Sequence, residues 1–252
     1  MSRFFIKEEQ IAGDLIHIEG ADAHHIARVL RMKEGEELLL CDFFNTEYRT
    51  VIRTLSGDFV EAEIVEKRAG ASEMPFPVVL YMALPKGDKM EWIIQKTVEL
   101  GVEGIYPVAM SRCIVKLDDS KKKNKTARWQ AIAESAAKQS KRSAIPAVHD
   151  AISYKEALEL AGEMDLFLVP YENKDGMAPT REALEAIRPG MSVGILIGPE
   201  GGFSESEIEE AICAGGRAIS LGKRILRTET AAITAVGMCM LHTEMHLTEE
   251  GV

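Results

Sequence analysis

Cysteine is scarce. Cys41, Cys113, Cys213 and Cys239 are the four in 252 residues, too far apart to form a CxxC pair. That argues against a secreted disulfide scaffold and the cysteine-rich zinc modules, and suggests reduced thiols in a cytoplasm. Long apolar runs are also missing. The richest stretch, Ala231 to Leu241, is broken by Thr234 and Gly237 and falls short of the roughly 18 residues of a membrane span. Met1-Ser2-Arg3-Phe4-Phe5 passes directly into Lys7-Glu8-Glu9-Gln10, so no signal-peptide core is expected. No GxGxxG dinucleotide fingerprint is present. Around Gly222-Lys223 the Walker spacing fails, because Arg217 and Arg224 stand where Gly and Ser/Thr are required. His242 and His246 lie four apart, yet Glu244 fits neither HExxH nor HxxEH, so no metal is expected.

An excess of positive charge is missing too: the net charge is −10. Its distribution is uneven. Residues 1–70 carry 9 basic and 14 acidic side chains, residues 71–150 carry 13 and 9, and residues 151–252 carry 8 and 17. The stretch from Lys116 to Arg142 holds nine basic groups against Asp118, Asp119 and Glu134. With a screening length of ~8–10 Å, such a band can attract phosphates on an otherwise acidic body.

What is present is the composition of a globular chain, 46% hydrophobic and 28% charged, with room for one large domain or two modest ones. Residues 1–68 read as short strands at Ile16–Ile18, Glu37–Cys41, Thr50–Ile52 and Val60–Val65, with one helix over Ala23–Leu30. Several short strands in so few residues suggest a small β-barrel. Ala69 to Pro75 has linker composition, which puts a domain boundary near residue 70. Beyond it, continuous apolar runs alternate with amphipathic stretches. Val78–Ala83, Ile105–Ala109, Leu166–Val169, Val193–Ile197 and Ala218–Leu221 read as strands. Met90, Ile93, Ile94, Thr97 and Val98 mark a helix with Asp88 as its N-cap and Gly101 at its end; Trp129, Ile132, Ala133, Ala136 and Ala137 mark another. This alternation predicts an α/β domain with a mostly parallel sheet, whose ligands sit beyond the carboxyl ends of the strands.

Two loops stand out as candidate chemistry. Ile195-Leu196-Ile197 runs into Gly198-Pro199-Glu200-Gly201-Gly202-Phe203, followed by the capping box Ser204-x-x-Glu207. Glycines admit a ligand close to the backbone, and Glu200 suits a neutral or cationic ligand better than a pyrophosphate. The second loop, Leu221 to Arg227, carries three cations and leads to Thr228 as the cap of a final helix rich in Ala, Met and Cys on nearly all sides. Such a helix is expected in a core or against a second subunit.

These two loops, Gly198-Pro199-Glu200-Gly201-Gly202-Phe203 and Leu221-Gly222-x-x-Ile225-Leu226-Arg227-Thr228-Glu229-Thr230-Ala231, closely resemble the ribosomal small subunit methyltransferase E family. Arg3-Phe4-Phe5, His25, Val29-Leu30-Arg31, Lys86-Gly87-Asp88-Lys89, Glu99-Leu100-Gly101, Gln139, Arg142 and Pro146 extend the likeness over nearly the whole chain. The resemblance implies an S-adenosyl-L-methionine-dependent enzyme that methylates N3 of a uridine in 16S rRNA of the small ribosomal subunit, a cytoplasmic homodimer without metal. It implies a PUA-like RNA-binding β-barrel at 1–70 and an α/β domain of the SPOUT class, with a trefoil knot, at 71–252. Carried over, Leu84, Gly198, Pro199, Glu200, Gly201, Leu221, Gly222, Ile225, Leu226 and Thr228 become cofactor-binding residues. Arg3, His25, Arg28, Arg31, Lys86, Lys138, Gln139 and Arg142 become RNA contacts, with Lys33 beside them.

Uridine N3 carries a proton and must lose it to become nucleophilic. Arg227 is the candidate to stabilise the uracil anion through its carbonyl oxygens, and Glu229 or Glu200 to take the proton or hold that arginine. The rival readings are a methyltransferase of other base or ribose 2′-oxygen specificity, and a nonenzymatic RNA-binding assembly factor.

Overall fold

The computed structural model describes residues 3–115, 117, 119–172 and 176–246, with the backbone alone at 119–121. Lys116 and Asp118 of the basic band lie outside the described residues. The chain divides into two compact units. The first is Met1–Glu73 with Ala137–Ile145, and the second is Met74–Ala136 with Pro146–Val252.

The first unit is built on six strands: β1 (Arg3–Phe5), β2 (Ile11–Ala12), β3 (Leu15–Glu19), β4 (Glu37–Cys41), β5 (Thr46–Leu55) and β6 (Phe59–Ala69). They form a sheet in the order β1-β4-β5-β6-β3-β2, antiparallel except where β1 runs beside β4. The expected barrel is therefore a sheet whose order has two ends, and no pairing joins β1 to β2 among the described residues. Its apolar face, including Ile16, Ile18, Leu38, Leu40, Ile52 and Val60, is buried together with Ala23 and Ile26. Those last two belong to the predicted helix, which is two pieces: α1 (Gly20–His24) and a π-helical turn over His25–Val29. The wider turn is carried by Leu30 N–H donating to His25 C=O at 2.9 Å.

Ala137–Ile145 is fastened to this unit by buried ionic groups. Arg142 is only 4% exposed and donates through Nε to Glu73 at 3.0 Å, while the Ser143 and Ala144 amides donate to the same carboxylate. Burial alone would raise the Glu73 pKa, but Arg142 and the two amides outweigh it and hold the carboxyl below its ordinary value near 4.5. A group depressed in the folded state contributes stability above its unfolded pKa, and that stability is lost as the pH falls through the folded value. Urea unfolding at about pH 7 and about pH 3 checks this: Glu73→Gln should lose less stability between the two than the parent protein.

The second unit is a wholly parallel sheet. Its strands are β7 (Val78–Ala83), β8 (Gly104–Ala109), β9 (Ala147–Val148), β10 (Ile152–Ser153), β11 (Leu166–Pro170), β12 (Val193–Ile197) and β13 (Arg217–Ile219). The order is β10-β8-β7-β12-β11-β13, with β9 also on β8. Every residue of β12 is buried, which is why it reads as an unbroken apolar run. Helices α2 (Lys89–Glu99), α3 (Asp119–Gln139), α4 (Tyr154–Gly162), α5 (Ala178–Glu185), α6 (Glu205–Cys213) and α7 (Thr228–His246) accompany the strands. α7 packs on α2, β7 and β12. Asp88 precedes α2 but makes no side-chain cap, whereas Ser204 and Glu207 form the full capping box of α6. The final strand stops at Ile219, because the Ser220 amide is taken by the Thr180 hydroxyl at 3.0 Å. No helix among the described residues is long and apolar enough to cross a membrane.

Candidate active site

β12 delivers its carboxyl end to Gly198, at the centre of the parallel sheet. The loop that follows turns tightly: the Gly202 amide donates to the Pro199 carbonyl at 2.9 Å, and Gly202 has φ +68°. A side chain at Gly202 would be strained by that angle, and its Cβ would lie 3.0 Å from Glu172 Oε1. Two groups brace the loop from outside. Arg112 Nη1 donates to the Gly201 and Phe203 carbonyls, each at 2.9 Å. Glu207 accepts from the Ser204 amide at 2.8 Å and the Ser111 amide at 2.9 Å. Burial pushes the Glu207 pKa upward, yet the amide bonds prevail and keep it below the ordinary range.

The second loop returns from β13 and closes on the first. Thr228 does not act as the expected N-cap: it is the first residue of α7, and its hydroxyl donates to the Gly198 carbonyl at 2.7 Å. That one bond ties the two glycine-containing loops together. Between them lies a cavity of about 440 Å³, a size suited to a small ligand. Gly198, Pro199, Glu200, Leu221, Gly222, Ile225, Leu226, Arg227 and Thr228 line it, all of them singled out from sequence. Ile225 is 86% exposed and stands at the rim rather than in the wall.

Three expected residues lie elsewhere. Leu84 is a buried core residue just past β7, its amide donating to Val108 C=O at 2.9 Å, and does not line the cavity. A Cβ on Gly201 would approach the Arg112 side chain, so that glycine serves the brace. Glu229 is also outside the lining but touches Lys89, which is within it.

Lys89, quoted only as part of a motif, links the two candidate carboxylates. Its Nζ donates to Glu200 Oε1 at 3.1 Å and stands 3.3 Å from Glu229 Oε2. The Lys86 amide donates to the same Glu200 oxygen at 3.0 Å. Burial raises the Glu200 pKa, but Lys86 and Lys89 more than reverse this and keep the carboxyl ionised; the Glu200 contact in turn raises Lys89. Glu229 Oε2 is buried and faces Lys89 alone. The two carboxylates that look equivalent in sequence are thus distinct: Glu200 is anchored by the Lys86 amide and Lys89, and Glu229 by Lys89.

Phe203, quoted only as part of a motif, also lines the cavity, as do Tyr171 and Glu172, which the sequence reading missed. Tyr171 and Phe203 meet edge to face at 6.4 Å. Tyr171 follows directly on β11, so the rule that ligands sit beyond strand carboxyl ends would have found it. A Cβ at Gly198 would lie 2.9 Å from the Phe203 ring. Gly198→Ala is therefore expected to cost about 1–3 kcal/mol of local packing, read as a lowered urea midpoint.

The expected RNA contacts divide into two kinds. His25, Arg28, Arg31 and Lys33 are exposed on or just after the π-helical turn, while Lys86 is exposed beyond β7, and Lys138 and Gln139 at the end of α3. Arg142 and Arg3 are given another role. Arg142 is buried on Glu73, and Arg3 is half-buried, 2.6 Å from Glu47. Burial pushes the Cys41 and Cys239 thiols up to about 12, leaving them poor nucleophiles. Among the described residues no group of three metal-ligating side chains occurs.

A parallel sheet that gathers two glycine loops, an arginine and a lysine-bridged carboxylate pair at its carboxyl edge defines a small-ligand transferase site. Residues 72–240 match the RNA methyltransferase domain, and residues 18–65 match the RNA methyltransferase PUA domain. The chain belongs to this RNA methyltransferase family. Ribosomal RNA small subunit methyltransferase E of Bacillus subtilis (strain 168) is 38% identical over 251 residues, covering 97% of this chain and 98% of that protein. Its namesake in Mesomycoplasma hyopneumoniae (strain 232) is 35% identical, over 95% of this chain and 99% of that one. The crystal structure of ribosomal RNA small subunit methyltransferase E from Neisseria gonorrhoeae, bound to S-adenosyl methionine, aligns with a TM-score of 0.77 at 33% identity, covering 96% of this chain and 97% of that one.

Proposed function

We propose that this chain transfers a methyl group from S-adenosylmethionine to N3 of a uridine in 16S rRNA of the small ribosomal subunit. The observation that carries the reading is the closure of the two glycine loops on one cavity, locked by the Thr228–Gly198 bond and bordered by Arg227 and by Lys89, which Glu229 contacts from behind the lining.

The cavity fits the cofactor by its chemistry. Ile197, Leu221, Leu226 and Phe203 offer apolar walls for a purine, and the unbranched backbone at Gly198, Gly202 and Gly222 permits close approach. Glu172 and Glu200 place negative charge where a cationic ligand needs it. When bound, S-adenosylmethionine supplies an electrophilic methyl carbon on a sulfonium that leaves as a neutral thioether.

This chain's residues do the remaining work. The loops hold the methyl carbon in line with the incoming nitrogen, and such positioning supplies much of the rate. Arg227 donates to a uracil carbonyl oxygen as negative charge develops there. Glu229 takes the N3 proton, while Lys89 pairs with its Oε2 and orients it and Glu200 keeps Lys89 in place. The nitrogen–carbon bond forms as the carbon–sulfur bond breaks, and the N3 proton ends on the carboxylate.

The first unit grips RNA away from the reacting base through His25, Arg28, Arg31 and Lys33, with Lys138 and Gln139 as further contacts, and the second unit adds Lys86; a cytoplasmic setting follows from that substrate. The second unit belongs to the SPOUT class with its trefoil knot. In support, the chain leaves the sheet edge at β13, returns to the central strand at Gly198, and continues into α7. A homodimer is consistent with Leu241 and Met245 of α7, which are large, apolar and more than half exposed. Light scattering that gives the mass of one chain would sink the dimer.

The test is methyl transfer from labelled S-adenosylmethionine to small subunits that lack the modification, followed by nucleoside mapping. Label at uridine N3 is expected. Label on ribose or another base would overturn the substrate assignment, and absence of cofactor binding would leave a nonenzymatic RNA-binding protein.

A further inference from the structure

The turn between β4 and β5 carries a large side chain that no part of the active site uses. Phe44 is 84% exposed. Turns ordinarily place polar residues there, so an aromatic ring held in water at this position calls for a partner.

The ring sits on a stiff support. Asp42 Oδ1 accepts the Phe44 and Thr46 amides, both at 2.8 Å, and the Asp42 amide donates to Thr46 C=O at 3.0 Å. Asn45 takes the left-handed conformation at φ +65°, and its carbonyl accepts the Gly70 amide at 2.9 Å. The neighbouring Phe43 ring packs inward against Phe5 at 6.0 Å. An antiparallel bridge joins Phe44 to Ala144, within the segment fastened by Arg142 and Glu73.

Charge around the ring is sorted by depth. Glu47 is 1% exposed and Glu73 12%. Glu47 already holds Arg3 and Arg68, and Glu73 holds Arg142. Lys138, Lys141 and the outer part of Arg68, all of the same unit, are exposed. Lys141 is three residues before Ala144, at most ~11 Å along the chain from the residue bridged to Phe44.

A rigid exposed aromatic beside exposed cations is the arrangement that binds unpaired nucleotides, with the base stacked on the ring and its phosphates on the lysines. We propose that Phe44 is a stacking platform for an unpaired RNA base, with Lys138 and Lys141 contacting the flanking phosphates. It rests on the reading of this chain as an enzyme of ribosomal RNA, and gives its first unit a second RNA contact apart from the π-helical turn.

The experiment uses the full-length protein, a single-stranded uridine-rich RNA oligomer, and unmodified small subunits. Phe44→Ala is expected to weaken oligomer binding about tenfold and raise KM for subunits by a similar factor, with kcat and S-adenosylmethionine affinity unchanged. Phe44→Trp should restore binding, and its added indole fluorescence should be quenched by RNA. Replacing Lys138 and Lys141 together by Ala should flatten the dependence of log K on log salt by about 1–2. Oligomer affinity within twofold of the parent for Phe44→Ala would overturn the platform. So would equal affinities for Phe44→Leu and Phe44→Trp, which would indicate plain apolar contact. If the parent protein methylates no subunit while Phe44→Ala still weakens oligomer binding, the enzyme reading falls and the platform stands.

Discussion

Arg227→Ala is expected to lower methyl transfer by about 10²–10³-fold, the usual cost of removing a preorganised donor from a developing anion, while leaving S-adenosylmethionine affinity within about threefold. The split follows from where Arg227 sits. It borders the cavity at the turn just before α7 and is exposed. Neither the Thr228–Gly198 bond nor the Arg112 brace depends on it. Both loops therefore keep their shape when the guanidinium is lost. Single-turnover methylation combined with calorimetric titration separates the two effects. Equal losses in both would make Arg227 a cofactor ligand. An unchanged rate would remove it from the chemistry.

Glu229→Gln should cost a further order of magnitude at its upper end, about 10²–10⁴-fold in kcat, the range for loss of a positioned general base. Glutamine keeps the size of the side chain and cannot take the proton. Residual activity in this variant should climb more steeply with pH than that of the parent, because the uracil then ionises without help. Glu200→Gln serves as the contrast. Glu200 spends one oxygen on the Lys86 amide and Lys89, so its loss should loosen Lys89 and cofactor affinity without that pH signature. A Glu229→Gln enzyme with parental turnover would move the proton to another acceptor.

Much of this site could be read from the chain itself. Glycine in a strand-to-helix turn, the Ser204/Glu207 box and the buried run of β12 are local features, set by backbone sterics and nearby hydrogen bonds. They put Gly198–Phe203 and Leu221–Thr228 forward, and the cavity lies between them. The misreadings have one cause. Leu84 and Arg142 sit beside recognisable motifs, but whether a side chain faces a cavity or a buried partner depends on what packs over it. Glu73 lies 69 residues from Arg142, a pairing that no local pattern encodes. Lys89 was passed over because its two carboxylates are 111 and 140 positions away. Phe44 was passed over because exposure is a property of the folded surface.

By itself, then, the sequence determined the change near residue 70 from short strands to a parallel α/β sheet, and the two loops that border the cavity. Periodicity, capping and glycine sterics act over a few residues and survive in a linear reading. The tertiary structure alone decided that one lysine bridges Glu200 and Glu229, which arginines are buried in ion pairs, and which aromatic ring is left in water. Each of these depends on groups far apart in the chain that meet only when the core has closed, and burial then sets both their charge and their access to a ligand.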